Sequence, residues 1–200
     1  MSKASFSPEG KLAVAQQHPV RVAEAKTTLV AGLPFASKEL IRGERKAGEV
    51  VVETRGEGLS GEALVRNEEL QAQSKAALND KDWNSLETLS KARLEIVPQS
   101  IMAQKLLAQA QYEKARFSIT ARRFNEGEKL LLDSLRFHLE FSGPKSDSVG
   151  RCMLELGRTA LGNAQRKLAV ERLSNAREIL ELNGMHRESA ECDEELAKLK

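Results

Sequence analysis

The chain has 200 residues, of which 40% are hydrophobic, 4% aromatic and 30% charged, and its formal net charge is +2. That mix is too apolar for a wholly disordered chain and too poor in aromatic residues for an all-β one. The near-neutral balance gives no overall field toward nucleic acid or a membrane surface, and no apolar run nears the roughly 20 residues that span a bilayer.

Residues 1–65 hold seven of the 13 glycines and three of the five prolines. Residues 1–61 therefore read as an irregular or extended arm. Short helices are expected around 11–17 and 37–45, and a short strand or an extended clip at Val50-Val51-Val52. Two readings stand side by side: a disordered tail, and an arm that orders on a neighbouring protein. Residues 1–26 contain no continuous apolar stretch, and Glu9 and Glu24 interrupt any basic amphipathic leader. The expectation is a cytoplasmic protein without a secretory signal.

From Glu62 onward the pattern is helical, and residues 62–200 form the expected folded domain. Seven helices are predicted, over 62–78, 83–97, 100–122, 126–141, 148–161, 164–182 and 187–200. Asp82 is a good N-cap, Pro98 a stop, and Gly143-Pro144 a C-terminal glycine followed by proline. Asn125 and Asp147 are expected to open the fourth and fifth helices, and Gly162-Asn163 and Asn183-Gly184 to end the fifth and sixth. The last helix is acidic early and basic late, which suits its dipole, and it reads as a solvating cap on the stack.

Three helix pairs superpose. Trp83 to Leu94, Phe124 to Leu135 and Arg166 to Arg177 align so that Arg93, Ser134 and Ala176 are equivalent, at intervals of 41 and 42 residues. Their first helices align over 70–78, 111–119 and 153–161. Stacking such pairs buries apolar stripes that a lone pair leaves exposed.

Leu156-Gly157-x-x-Ala160, the small residues Ala169 and Ala176, and Trp83 and Leu86 ahead of Pro98 carry a resemblance to the tetratricopeptide repeat family. The usual repeat is about 34 residues, and this one is longer by about two helical turns. Arg93 and Gly127 stand where that family has alanine. The chain is most similar to the long-helix form found in kinesin light chains and similar adaptors, over residues 66–184. The resemblance implies an all-α, antiparallel helix-pair superhelix with a C-terminal capping helix.

Residue types for catalysis are sparse. His18, His138 and His186 are scattered, and Cys152 and Cys192 lie far apart with no metal-ligand spacing. Both cysteines are expected to be reduced thiols on helices. No nucleophile elbow, phosphate loop or zinc-protease motif occurs. Gly56-x-Gly58-x-x-Gly61 has a nucleotide-loop spacing, but Glu57 and Glu62 flank it and no βαβ pattern follows. Arg42, Arg45 and Lys46 read as a solvated surface. The expectation is a non-enzymatic chain with no cofactor and no metal.

In a tetratricopeptide-like stack the first helix of each pair lines the concave face. Equivalent positions there form a column of Lys75, Arg116 and Arg158. Gln71, Tyr112 and Leu154 lie one turn away, and Arg151 completes the expected partner-binding groove. Arginines so aligned would take the carboxylates of an acidic peptide or chain terminus. The competing reading is that they pair with local acids such as Glu113 and Glu155. The expected function is a protein–protein interaction adaptor or structural scaffold, in a cytoskeletal or ciliary setting by analogy. The alternative is a cytosolic chaperone holding a partner segment in the groove.

Overall fold

The computed structural model describes residues 59–199. The expected arm over 1–61, with its short helices and valine clip, lies almost wholly outside the described residues.

Seven α-helices follow in order: α1 (Gly61–Asn79), α2 (Trp83–Ile96), α3 (Ile101–Thr120), α4 (Phe124–Phe141), α5 (Asp147–Gly162), α6 (Arg166–Leu182) and α7 (His186–Ala197). Each packs antiparallel on the next in the chain. The helices α3, α5 and α7 also touch side by side, α3 with α5 and α5 with α7.

Two kinds of connection alternate as far as α6, and the α6–α7 link repeats the tight one, with Gly184 at φ 70°. After α1, α3 and α5 the chain turns within three residues, and the middle residue is left-handed: Lys81 at φ 55°, Arg122 at 58° and Ala164 at 59°. The amides of Asp82, Arg123 and Gln165 return to the carbonyls of Ala77, Ser118 and Ala160 at 2.9, 2.7 and 2.8 Å. The amides of Lys81, Arg122 and Ala164 reach Leu78, Ile119 and Leu161. This double closure is the Schellman arrangement, which satisfies the last carbonyls of a helix. The left-handed residues recur at 41 and 42 positions, the interval read from the sequence.

The longer connections lead into α3 and α5. They contain Pro98 and the Gly143-Pro144 pair, with Gly143 at φ 85°. A serine hydroxyl caps each helix that does not follow a tight turn: Ser60 takes the Ala63 amide, Ser100 that of Ala103, and Ser146 that of Val149. So Ser146 rather than Asp147 caps α5. Asn125 does not cap α4, which begins one residue earlier at Phe124 and has no side-chain cap. Likewise Ala164 does not start α6, because its positive φ places it in the turn. At α4 and α6 the compact turn sets the helix start, and at α5 the capping side chain lies one position before Asp147.

Burial follows the same interval. Ser74, Ala115 and Gly157 are buried at equivalent positions of α1, α3 and α5, as are Ala77, Ser118 and Ala160. On the even helices the matching sets are Leu86, Gly127 and Ala169, then Ser90, Leu131 and Leu173, then Arg93, Ser134 and Ala176. The small residues set how near the helices approach. A Cβ built on Gly157 would sit 2.6 Å from the Leu173 side chain, and one on Gly127 would sit 2.9 Å from Ile119.

The core thickens along the chain. In α1, Leu70, Ser74 and Ala77 are buried, whereas α5 buries ten residues. The larger apolar cluster runs from α3 to α7 around Leu131, Leu156, Leu173 and Leu180, and a smaller one joins α1, α2 and α3 around Leu86 and Ala110. Each fully buried leucine contributes roughly 2 kcal/mol. The α5–α6 end is therefore the anchor of the stack.

Candidate functional site

The expected groove residues lie on α1, α3 and α5, but their exposure falls from helix to helix. Gln71 and Lys75 of α1 are exposed. On α3, Arg116 is exposed and Tyr112 is half-buried. On α5, Arg151 and Arg158 are half-buried, and Leu154 is 3% exposed, a core residue. Leu154 is therefore absent from the surface on which the other six lie.

The arginines share acids. Arg116 meets Glu113 at 3.2 Å and Glu155 at 3.7 Å. Arg158 reaches Glu155 and Glu191, each at 2.9 Å, and Glu195 at 3.5 Å. Arg151 lies 3.4 Å from Glu188, and its Nε is buried without a hydrogen-bond partner. Lys75 makes no ion pair among the described residues.

At the centre stands Glu155, 5% exposed. Burial pushes its carboxyl above the ordinary range, while Arg158 and Arg116 pull against that shift. Burial also opposes the charge on Arg158, but Glu155 and Glu191 outweigh it and hold the guanidinium firmly protonated. Tyr112 sits beside them, its ring 6.0 Å from the Arg116 guanidinium. Burial first, and the Glu155 charge second, push its phenol well above the usual value.

The carboxylates on α7 have a spacing of their own. Glu188, Glu191 and Glu195 stand at i, i+3 and i+7, on one helical face. Arg151 and Arg158 stand seven apart on α5. The two helices run parallel, and these faces meet. Sequence reading assigned the acids of α7 to its dipole. The matching seven-residue offsets on α5 and α7 are the signal that would have paired them.

A second polar group lies deeper and was not foreseen. Arg172 of α6 is fully buried. It donates to the Leu156 carbonyl at 3.2 Å and to Glu128 Oε1 at 2.9 Å, tying α4, α5 and α6 together. Charge at such a position is tolerated only because both partners accept hydrogen bonds.

Cys152 and Cys192 are free and buried. Burial pushes their thiols up, to about 12 and about 11. Both are therefore protonated and inert at neutral pH. Burial lowers His138, while Asp147 opposes the shift. Among the described residues, no three histidine, cysteine, aspartate or glutamate side chains gather as a metal site, and no helix is long and apolar enough to cross a membrane.

No protein-family model, no curated protein and no solved structure is significantly similar to this chain. What it presents is an all-helical domain of seven sequentially packed helices, in which the arginines of α3 and α5 are paired with acids of α3, α5 and α7. Guanidinium groups arranged this way bind carboxylates by charge-assisted hydrogen bonds.

Proposed function

We propose that this chain is a non-enzymatic scaffold for protein–protein interaction, a tetratricopeptide-like superhelix that receives an acidic segment on its odd-helix face. The recurrence of the same left-handed turn at Lys81, Arg122 and Ala164 carries this reading. Helix pairs repeated at one interval stack into an extended platform, and such platforms act by surface complementarity. Contact of α3 with α5 and of α5 with α7 supports a bend that sets these helices on the inner side.

The receptive part of the face is its α1–α3 end. Lys75 and Arg116 are exposed there, beside Gln71 and the half-buried Tyr112. Arg116 hydrogen-bonds Glu113 at 3.2 Å and lies 3.7 Å from Glu155, and its exposed guanidinium leaves these pairs screened by water. Lysine and arginine on an exposed face gain most from a ligand that brings several carboxylates at once. A chaperone groove for apolar segments is less well supported, because Leu154 is buried. By analogy with the kinesin-light-chain form, the proposed setting is a cytoplasmic cytoskeletal or ciliary assembly. There the residues ahead of α1 would order on a neighbouring protein.

The test is direct binding of a labelled oligoglutamate peptide, with an oligolysine peptide as control. Lys75→Glu with Arg116→Glu should weaken binding by about tenfold or more, a change of about 1.4 kcal/mol. Equal affinity for both peptides, or an unaffected double variant, overturns the reading.

A further inference from the structure

We propose that α7 is the resident ligand of the odd-helix face: the face takes an acidic helix with carboxylates at i, i+3 and i+7, and a partner helix of that pattern competes with α7 for Arg151 and Arg158. This inference rests on the partner-binding reading given above and adds the form of the partner and the regulation of its site.

The geometry of α7 is the template. Glu188 lies 3.4 Å from Arg151, Glu191 2.9 Å from Arg158, and Glu195 3.5 Å from Arg158. Three carboxylates in one helical row thus engage two guanidinium groups in one helical row. The face equivalent to this one on α1 and α3 carries Lys75 and Arg116. On α3 the next odd helix, α5, takes the place that α7 takes on α5, but it brings a single carboxylate, Glu155, 3.7 Å from Arg116.

Charge counting gives α7 a controlling role. Without it, Arg116, Arg151 and Arg158 face only Glu113 and Glu155, and the patch is positive. With it, Glu188, Glu191 and Glu195 enter, and Arg187 and Lys198 offset two of the three. The patch is then neutral. An acidic partner therefore sees a weaker site at the α5 end while α7 is seated.

The seat of α7 is shallow in apolar terms. Ser189 and Cys192 are its buried residues. Met185, Leu196 and Leu199 add partly buried contacts to the main core. By comparison α6 buries six residues, Leu173, Ala176, Ile179 and Leu180 among them. A helix held by few apolar contacts and many partly exposed ion pairs belongs to the low-stability end of a fold.

The experiment uses the full chain and a labelled alanine-based peptide with glutamates at i, i+3 and i+7. Glu188→Gln, Glu191→Gln and Glu195→Gln together keep the length and apolar contacts of α7. They should raise affinity for the peptide about tenfold, and adding Arg151→Gln and Arg158→Gln should remove that gain. A second readout needs no variant. Added peptide should speed maleimide labelling of Cys192, the buried cysteine on the inward face of α7, with the site resolved by mass spectrometry. A triple variant of unchanged helicity that binds like the wild type, or a Cys192 labelling rate unmoved by saturating peptide, overturns the role of α7. If binding is nevertheless lost in Lys75→Glu/Arg116→Glu, the partner-binding reading stands without it. If no form of the chain binds the peptide, both fall.

Discussion

Arg158 Nη2 and Glu191 Oε2 lie 2.9 Å apart across 33 residues of chain and join α5 to α7, while the Nη1 of the same guanidinium lies 2.9 Å from the buried Glu155. One arginine thus serves a core carboxylate and a surface one. Arg158→Ala leaves Glu155 with Arg116 at 3.7 Å as its cation. Removing one partner of such a pair costs about 2 kcal/mol, below the figure for fully buried pairs because Arg158 is partly exposed.

The pH dependence follows from the same carboxyl. Burial raises Glu155 above its ordinary value of 4.5. The folded chain then holds a proton that the unfolded chain has released. Stability from this group is fullest below the unfolded value and declines as pH rises through the folded one. Loss of Arg158 raises the folded value further, so the deficit of Arg158→Ala should widen from acid toward neutral pH. Urea denaturation across that range checks it, and a deficit independent of pH would show that Glu155 is not the group concerned.

Lys81, Arg122 and Ala164 adopt a backbone that costs a non-glycine residue about 1–2 kcal/mol. Replacing each with glycine relieves that cost but loosens the unfolded chain by about 0.4–1 kcal/mol. All three variants should therefore be stabilised, by about 0.5–1 kcal/mol. Thermal melts of the three single variants measure it. Opposite signs among them would break the equivalence of the turns.

Arg172 has no route to water, and its two acceptors lie on α4 and α5. Arg172→Ala removes its volume and leaves Glu128 half-lined by protein. The expected loss is about 3 kcal/mol in denaturant unfolding. Arg172→Met keeps the volume and should recover part of it.

Gly157→Ala sets two effects against each other. Alanine improves helix propensity by about 1 kcal/mol. Its Cβ would lie 2.6 Å from Leu173 Cγ and Cδ2, where α5 packs on α6. Overpacking there costs about 1–3 kcal/mol, so the net effect is destabilising. At Gly61 nothing lies within 4 Å, and the same change should be harmless.

Helix number and the 41- and 42-residue interval were legible because turns and apolar stripes are local features. The exposure of the row was not. Projection by a fixed interval treats Gln71, Tyr112 and Leu154 as alike, yet they run from exposed through half-buried to buried. The difference is the number of neighbours: among the described residues α1 packs chiefly on α2, whereas α5 is enclosed by α3, α4, α6 and α7. Arg172 was missed for a related reason. Its equivalents are Leu89 and Leu130, so nothing in the repeat marks a buried charge.

The hold on α7 should be salt-dependent in a way that no other helix shares. Its ion pairs to α5 are those of Arg151 and Arg158, and Arg177 of α6 adds Asp193 at 3.1 Å. These charges are partly exposed, so ions reach them. Between about 0.1 M and about 1 M salt the screening length falls from about 10 Å to about 3 Å. The apolar contacts of Leu173 and Leu180 in α6 do not weaken with added salt and strengthen slightly if anything. Hydrogen exchange should then show the amides of α7 losing protection at high salt while those of α5 and α6 keep theirs. Equal change in α6 and α7 would mean that apolar packing, and not the arginine–glutamate rows, seats the last helix.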